Sequence, residues 1–242
     1  MNAITIRGLT KRYKDTVAVD SLNLDIKNGE LFALLGVNGA GKTTVIKLLS
    51  CLSQPSEGDA LLLGKNIRTD AAAVKSIIGV SPQETAVALG LSVKENLELM
   101  CGVYGFNKDK TQQKVKELIE QFGLEQVLDK KARKLSGGWQ RRLSIAMALI
   151  GEPKILFLDE PTLGLDVIAR SELWNIIRSL KGNVTVILTT HYMEEAESLS
   201  DRIGIMQNGR LIALGTANEL KEAAGKDKFE DAFVALVKGG AV

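Results

Sequence analysis

Residues 31–43 read Leu-Phe-Ala-Leu-Leu-Gly-Val-Asn-Gly-Ala-Gly-Lys-Thr, and no other stretch constrains the fold of this chain as much. Five unbroken apolar residues suit a strand buried on both faces. The next eight match G-x-x-x-x-G-K-[ST] at every fixed position. Val45, Ile46, Leu48 and Leu49 then fall on one side of a helix. Strand, glycine-rich loop, helix is the order that a phosphate-binding loop demands. Gly36, Gly39 and Gly41, with Asn38 and Ala40 between them, let backbone N–H groups crowd around phosphate oxygens, where a Cβ would block the turn and the approach. Lys42 reaches the β- and γ-phosphates as a point charge, and Thr43 offers a hydroxyl to Mg²⁺. The helix dipole adds its positive end. A glycine-rich turn that merely caps a helix is the bland reading, and the buried strand directly upstream argues against it. The octet is read as a nucleoside triphosphate site.

The chain has 242 residues, 45% hydrophobic and 25% charged, with a net charge of +2. It is long enough for a sizeable core, and its small net charge gives no support for a large polyanion-binding surface. Cys51 and Cys101 fall in helix-like segments without metal-ligand spacing, so buried free thiols in a reducing compartment are expected. No apolar run approaches the roughly eighteen residues that span a bilayer. The start, Met1 to Arg7, resembles neither a signal nor a transit peptide. A soluble chain is expected, with any membrane role exercised through a separate partner.

Two Asn-Gly pairs suggest hairpins with type I′ turns. Leu22, Leu24 and Ile26 alternate with polar neighbours before Asn28-Gly29, and Ile203–Gln207 meets Arg210–Leu214 through Asn208-Gly209. Leu31–Leu35, Ile155–Leu158 and Val184–Leu188 read as buried parallel strands separated by helices. Between residues 84 and 150 only helical periodicity appears, in Val93–Met100, Gln113–Phe122 and Trp139–Ile150. The expectation is a single α/β unit over 1–242: a parallel-sheet core, an antiparallel β subdomain, and a helical subdomain inserted at 84–150.

Three further features carry chemistry. Ile155–Leu158 ends in Asp159-Glu160, two acids at a strand end beside the phosphate loop. Neighbouring strand residues point to opposite faces, so the two are expected to divide the work. Asp159 suits the metal. Glu160 suits a water, which it would orient or deprotonate. The only histidine, His191, follows the strand Val184–Leu188. Ligands of open parallel sheets gather at the carboxyl ends of the strands, which places His191 near the γ-phosphate. Finally, Leu135-Ser136-Gly137-Gly138-Trp139 opens a helix. Ser136 is either a plain N-cap or part of a second anion-binding terminus, which one nucleotide does not obviously need.

Taken in order, these motifs resemble the ATP-binding cassette ATPases over nearly the whole chain, as a P-loop NTPase core with an inserted helical subdomain. Gly36–Thr43 looks like their Walker A loop, Gln83 their Q-loop, Leu135–Trp139 their signature and Ile155–Glu160 their Walker B. Leu163-Gly164-Leu165-Asp166 looks like the D-loop and His191 the switch histidine. Tyr13 matches the aromatic that stacks on adenine. The resemblance implies ATP and Mg²⁺, with Lys42, Thr43, Thr44, Gln83, Asp159, Glu160 and His191 serving one site, and Thr43, Gln83 and Asp159 around the metal. It implies a head-to-tail homodimer in which Ser136, Gly137 and Gly138 reach the γ-phosphate held by the other copy, with Asp166 at the interface. The segment Thr190–Glu197 and the tail Phe229–Phe233 look like multidrug and polysaccharide-type exporters. There the ATPase is usually a separate, cytoplasmic chain docked under an integral-membrane permease. Trp139 departs from the usual glutamine and weakens a subgroup assignment based on the pentapeptide. Two other classes share parts of the pattern. A non-transport cassette ATPase for iron–sulfur assembly or nucleic-acid maintenance would draw on Lys130, Lys131, Arg133 and Lys134, although no nucleic-acid partner is expected at this charge. A small-molecule kinase would use the loop and Mg²⁺ but gives no reason for Leu135–Trp139.

Overall fold

A computed structural model describes residues 1–239. In chain order, β1 (Asn2–Tyr13) and β2 (Thr16–Lys27) form a hairpin, followed by β3 (Leu31–Leu35) and α1 (Lys42–Leu49). Next come β4 (Glu57–Leu62), β5 (Lys65–Asn66), α2 (Ala71–Lys75) and β6 (Ile78–Ser81). Three helices then run without an intervening strand: α3 (Val93–Val103), α4 (Lys108–Phe122) and α5 (Gly137–Leu149). The remainder is β7 (Ile155–Asp159), α6 (Val167–Leu180), β8 (Thr185–Thr190), α7 (Met193–Leu199), β9 (Arg202–Gln207), β10 (Arg210–Gly215), α8 (Ala217–Ala224) and α9 (Phe229–Gly239).

The strands form two sheets, of order β2-β1-β4-β5 and β10-β9-β3-β8-β7-β6. Within the second, β3, β6, β7, β8 and β9 are parallel, and β10 returns antiparallel along the edge. The continuous apolar runs follow from burial on both faces. Leu31, Ala33 and Leu35 of β3, with Leu156 and Leu158 of β7, join a core built with the helices. Phe32, Leu34, Ile155 and Phe157 face the other way, into a core shared with α1 and with Ile4, Ile6, Leu22 and Leu24 of the antiparallel sheet. A strand with a hydrophobic layer on each side cannot show period-two alternation.

The two Asn-Gly pairs behave differently. Asn208 and Gly209 have φ of 48° and 80° and close the β9–β10 hairpin, as a type I′ turn requires. At the other pair only Gly29 has positive φ, and no hairpin forms. Instead β2 pairs with β1 (Ile4 opposite Ile26, Ile6 opposite Leu24), while β3 pairs with β8 and β9 in the other sheet. The cause is burial. Strand β2 alternates buried and exposed residues, whereas every residue of β3 is buried, so β3 belongs in the layer that is covered twice. The Asn28-Gly29 turn therefore passes the chain from one sheet to the other. The cysteines also differ from expectation: Cys101 is buried in α3, but Cys51 is half-buried beyond the end of α1, in a left-handed turn at φ 56°.

Local signals account for the helix ends. Ser92 and Glu95 form a capping box at the start of α3, Asn107 caps α4, and Gly123 ends it in the left-handed conformation. The Glu95 carboxylate also accepts from Lys131 at 2.8 Å, which ties the start of α3 to the segment ahead of α5. The lysine, then the Ser92 backbone and hydroxyl, hold this carboxyl at a pKa of about 2. The folded value lies below the unfolded one, so this stabilisation is fully present above about pH 4.5 and is lost as pH falls through about 2. In urea denaturation, Glu95→Gln should unfold at lower urea than the parent at pH 7. That gap should close as pH drops from about 4.5 towards 2, and a gap independent of pH would contradict this origin.

Candidate functional site

Parallel pairing puts the carboxyl ends of three strands side by side. Leu35 at the end of β3 lies opposite Thr190 of β8, and Asp159 at the end of β7 lies opposite Thr189. The segments that leave these ends, 36–41, 160–166 and 191–192, must therefore converge.

The glycines of the first segment answer to the protein as much as to any ligand. A Cβ at Gly36 would stand 2.5 Å from the Met206 carbonyl oxygen, and one at Gly41, where φ is +103°, would stand 2.3 Å from that of Ala18. Only a residue without a side chain lets β3 and α1 pass this close to β9 and β2. Asn38 and Gly39 are exposed and Ala40 is buried. Gly41 precedes the first turn of α1, which carries neither a side-chain cap nor an acidic residue. Its free N–H groups face the loop and favour an anion.

Lys42 is 5% exposed. Its ammonium donates to the carbonyls of Gly36 at 2.7 Å and Val37 at 3.3 Å, and pairs with Glu160 Oε1 at 3.3 Å. The other carboxylate oxygen of Glu160 meets His191 Nδ1 at 2.7 Å. Glu160 is reached through a left-handed residue, φ 49°, anchored by its N–H donating to the backbone oxygen and hydroxyl of Thr189, each at 3.1 Å. The two acids do part company, but through this backbone turn beyond β7 and not through strand alternation. Asp159 Oδ1 accepts from the Thr43 hydroxyl at 3.1 Å and the Thr189 hydroxyl at 2.5 Å. Thr43 and Asp159 thus present oxygen ligands side by side, a donor set suited to a hard cation. Among the described residues no group of three or more His, Cys, Asp or Glu could hold a metal, so further ligands would come from phosphate oxygens and water.

These groups line a cleft of about 570 Å³ together with Thr16, Val17 and Ala18 of β2, Asn38, Gly39, Ala40, Gly41, Thr44, Gln83, Leu163 and Asn208. Lys42, Thr43, Glu160 and His191 lie in that lining; Asp159 and Gly36 stand just behind it. Tyr13 is not part of it. It is exposed at the end of β1, beneath the Lys11 ammonium at 4.9 Å, and the β2 residues three to five positions later line the cleft. Ser136, Gly137 and Gly138 are also outside the cleft. Ser136 sits at the N-cap of α5 with extended φ and ψ, yet its hydroxyl makes no capping bond. Ser136 and Gly137 are exposed, and Gly138 packs against α6 so tightly that a Cβ would come within 3.1 Å of the Ala169 methyl.

Two contributors escaped the sequence. Thr189 binds both Asp159 and the Glu160 backbone, but a threonine in an apolar strand carries no distinctive signal. Arg141 of α5 is 5% exposed and donates to the carbonyls of Pro82 and Gln83, each at 2.6 Å, fixing the backbone that carries the Gln83 side chain into the cleft. Burial lowers its guanidinium pKa, against the pull of Asp159 and Glu195. A charge on the apolar side of a helix was its one visible sign.

Residues 19–163 match the family model described as ABC transporter. A daunorubicin resistance ATP-binding protein, DrrA3 of Streptomyces coeruleorubidus, is 44% identical over 229 residues, covering 94% of this chain and 72% of the relative. Among solved structures, cbiO1 from Clostridium perfringens, described as part of the ABC transporter complex cbiONQ, aligns with a TM-score of 0.84 and 30% identity over 91% of each chain. The ATP-binding cassette MJ0796, solved as a dimer in a post-hydrolysis state with ADP and Pi, aligns with a TM-score of 0.79 and 27% identity, over 88% of this chain and 98% of the other.

Gly41→Ala tests the loop. The new methyl would meet the Ala18 carbonyl in a left-handed conformation, so affinity for a fluorescent adenosine triphosphate analogue should fall about tenfold or more, or ~1.4 kcal/mol. Affinity within about twofold of the parent would show that the loop tolerates a displaced turn.

Proposed function

Because this chain belongs to the ABC transporter family, as an ATP-binding subunit that hydrolyses ATP, we propose that two copies close head to tail over two ATP molecules and drive a separate membrane permease. One observation carries the reading: Ser136, with no capping bond, and Gly137 stand exposed outside the cleft, at a helix N-terminus left uncapped by any side chain among the described residues. Such a terminus is suited to an anion, and the anion it fits is the γ-phosphate in the cleft of a second copy. Val167 and Ile168, 77% and 73% exposed beside Asp166, give the same face apolar surface to bury. Gly138 packs on α6, so Ser136–Gly138 and Asp166 approach the partner together. The helical stretch 84–150 acts as the subdomain that carries Ser136–Gly138.

Within one copy, Lys42, Thr44 and the N–H groups of Gly39–Thr43 take the phosphates, and Tyr13, exposed at the end of β1 just before the β2 residues that line the cleft, stacks on adenine. Thr43, Asp159 and Gln83 would hold Mg²⁺, which would neutralise the charge that builds up on the phosphates. The Lys42 ammonium pairs with one Glu160 oxygen. When phosphate draws Lys42 away, that carboxylate becomes free to orient a water and accept its proton as the water oxygen attacks the γ-phosphorus and the bond to ADP breaks. His191, held at 2.7 Å by the other oxygen, keeps Glu160 in place and faces the γ-phosphate.

The partner is a permease. No helix among the described residues is long and apolar enough to cross a membrane. A mostly apolar cleft of about 420 Å³ beside β6, α3 and α5, lined by Ile78, Val80, Met100 and Tyr104, offers that partner a surface. ATP supply places the subunit at the cytoplasmic face of the membrane. A relative whose name records drug resistance supports export over uptake.

Glu160→Gln keeps the shape of the site but removes the proton acceptor. Turnover should fall about 100-fold or more while the chain elutes from gel filtration as an ATP-dependent dimer. A variant that stays monomeric with ATP, or that still turns over, would count against this reading.

A further inference from the structure

Glu195, the third residue of α7, is fully buried and takes no part in the hydrolytic steps above. Its Oε1 accepts from the Thr162 hydroxyl at 2.8 Å and from the Trp174 indole N–H at 3.0 Å, whereas among the described residues its Oε2 is buried without a hydrogen-bond partner. Each contact leads to a different part of the site. Thr162, itself fully buried, lies two residues after Glu160. Trp174 belongs to α6, whose N-cap is Asp166. Glu195 follows His191 by four residues. A second link runs parallel to the first: the Arg170 guanidinium of α6 lies 4.9 Å from the Tyr192 ring centroid, and that ring lies 4.1 Å from the His191 ring.

We propose that Glu195 is a positioning residue for ATP hydrolysis: it locks the turn behind Glu160 and the helix behind His191 to α6, so that the Asp166 end of α6 cannot move without carrying the Glu160–His191 pair with it. The inference rests on the roles given to those two residues above. Two donors converging on one oxygen of a fully buried side chain leave little slack. The Thr162 hydroxyl and the Trp174 N–H have lost water, so either would be left unsatisfied if α6 slid relative to α7. The carboxyl need not be charged to do this. Burial pushes its pKa up, and Glu160 adds to the rise, against the hydrogen bonds from Thr162 and Trp174. A neutral acceptor at this point serves as well, which separates a hydrogen-bonded brace from an electrostatic role.

The test compares Glu195→Ala, Glu195→Gln and Trp174→Phe in the purified full chain, with kcat, KM for ATP and thermal midpoint measured for each. Glutamine keeps a carbonyl acceptor for both donors, so Glu195→Gln should retain kcat within about threefold. Glu195→Ala removes the brace, and kcat should fall about tenfold or more with KM changed less than about twofold, because the phosphate loop is untouched. Should alanine unfold the chain, Trp174→Phe removes only one donor and should lower kcat about threefold at unchanged KM. Folded Glu195→Ala or Trp174→Phe protein with the parent's kcat would overturn the proposal. So would Glu195→Gln as slow as the alanine variant, or a loss that tracks the thermal midpoint alone. Glu160→Gln, run alongside, separates the two readings. If it turns over normally, the hydrolytic reading has failed; if it is inactive while Glu195→Ala is unimpaired, only the brace has.

Discussion

A buried ammonium ion dominates this structure. Lys42 is almost wholly out of water, and a charge in that position must be paired or solvated by the protein. Two loop carbonyls and the Glu160 carboxylate do so. None of these partners is local to the helix that carries the lysine. The carbonyls come from the turn after β3, and Glu160 comes from the turn after β7, 118 residues further along the sequence. The pairing therefore depends on parallel strands delivering their carboxyl ends to one place. It also leaves the site poised: a triphosphate offers the lysine a better partner and frees the carboxylate beside it.

That delivery depends in turn on burial. Alternate residues of β3 and β7 are claimed by two different hydrophobic layers, the helices on one side and the antiparallel sheet on the other. The close approaches at Gly36 and Gly41 then bring the loop against β9 and β2. Beyond the strand ends, Thr189 holds Asp159 with its hydroxyl and the Glu160 N–H with both oxygens, so the two acids diverge from a single anchor. On the inference drawn from Glu195, α6 extends this rigid unit to the surface that would meet a second copy, which couples closure of a dimer to the geometry of hydrolysis.

What the sequence made legible is what local chemistry specifies. The phosphate loop, the fully apolar strands and the Asn208-Gly209 hairpin each depend on residues within a few positions of one another. The identical dipeptide at Asn28-Gly29 misled because a hairpin also depends on where the following strand can be buried, and β3 needs two covered faces. The divergence of Asp159 and Glu160 was foreseen for the wrong reason, since a left-handed residue is invisible in a run that reads Leu-Asp-Glu-Pro. Arg141 and Glu195 were missed because charged residues on helices usually mark a solvated face. Glu195 stands in the run Met-Glu-Glu-Ala-Glu, where its two acidic neighbours are exposed and it alone is not. For Ser136 the sequence left a plain N-cap and an anion-binding terminus both open, and the geometry shows a hydroxyl that makes no capping bond.

The central claim is that each cleft is completed by the Ser136 terminus of another copy. Cysteine cross-linking tests it most directly. One chain would carry Ser136→Cys and another Asn38→Cys, both with Cys51→Ser to remove the half-buried thiol. The account predicts a disulfide-linked dimer that forms with ATP in the Glu160→Gln background and is absent without nucleotide. No cross-link with ATP, or equal cross-linking with and without it, would contradict the claim.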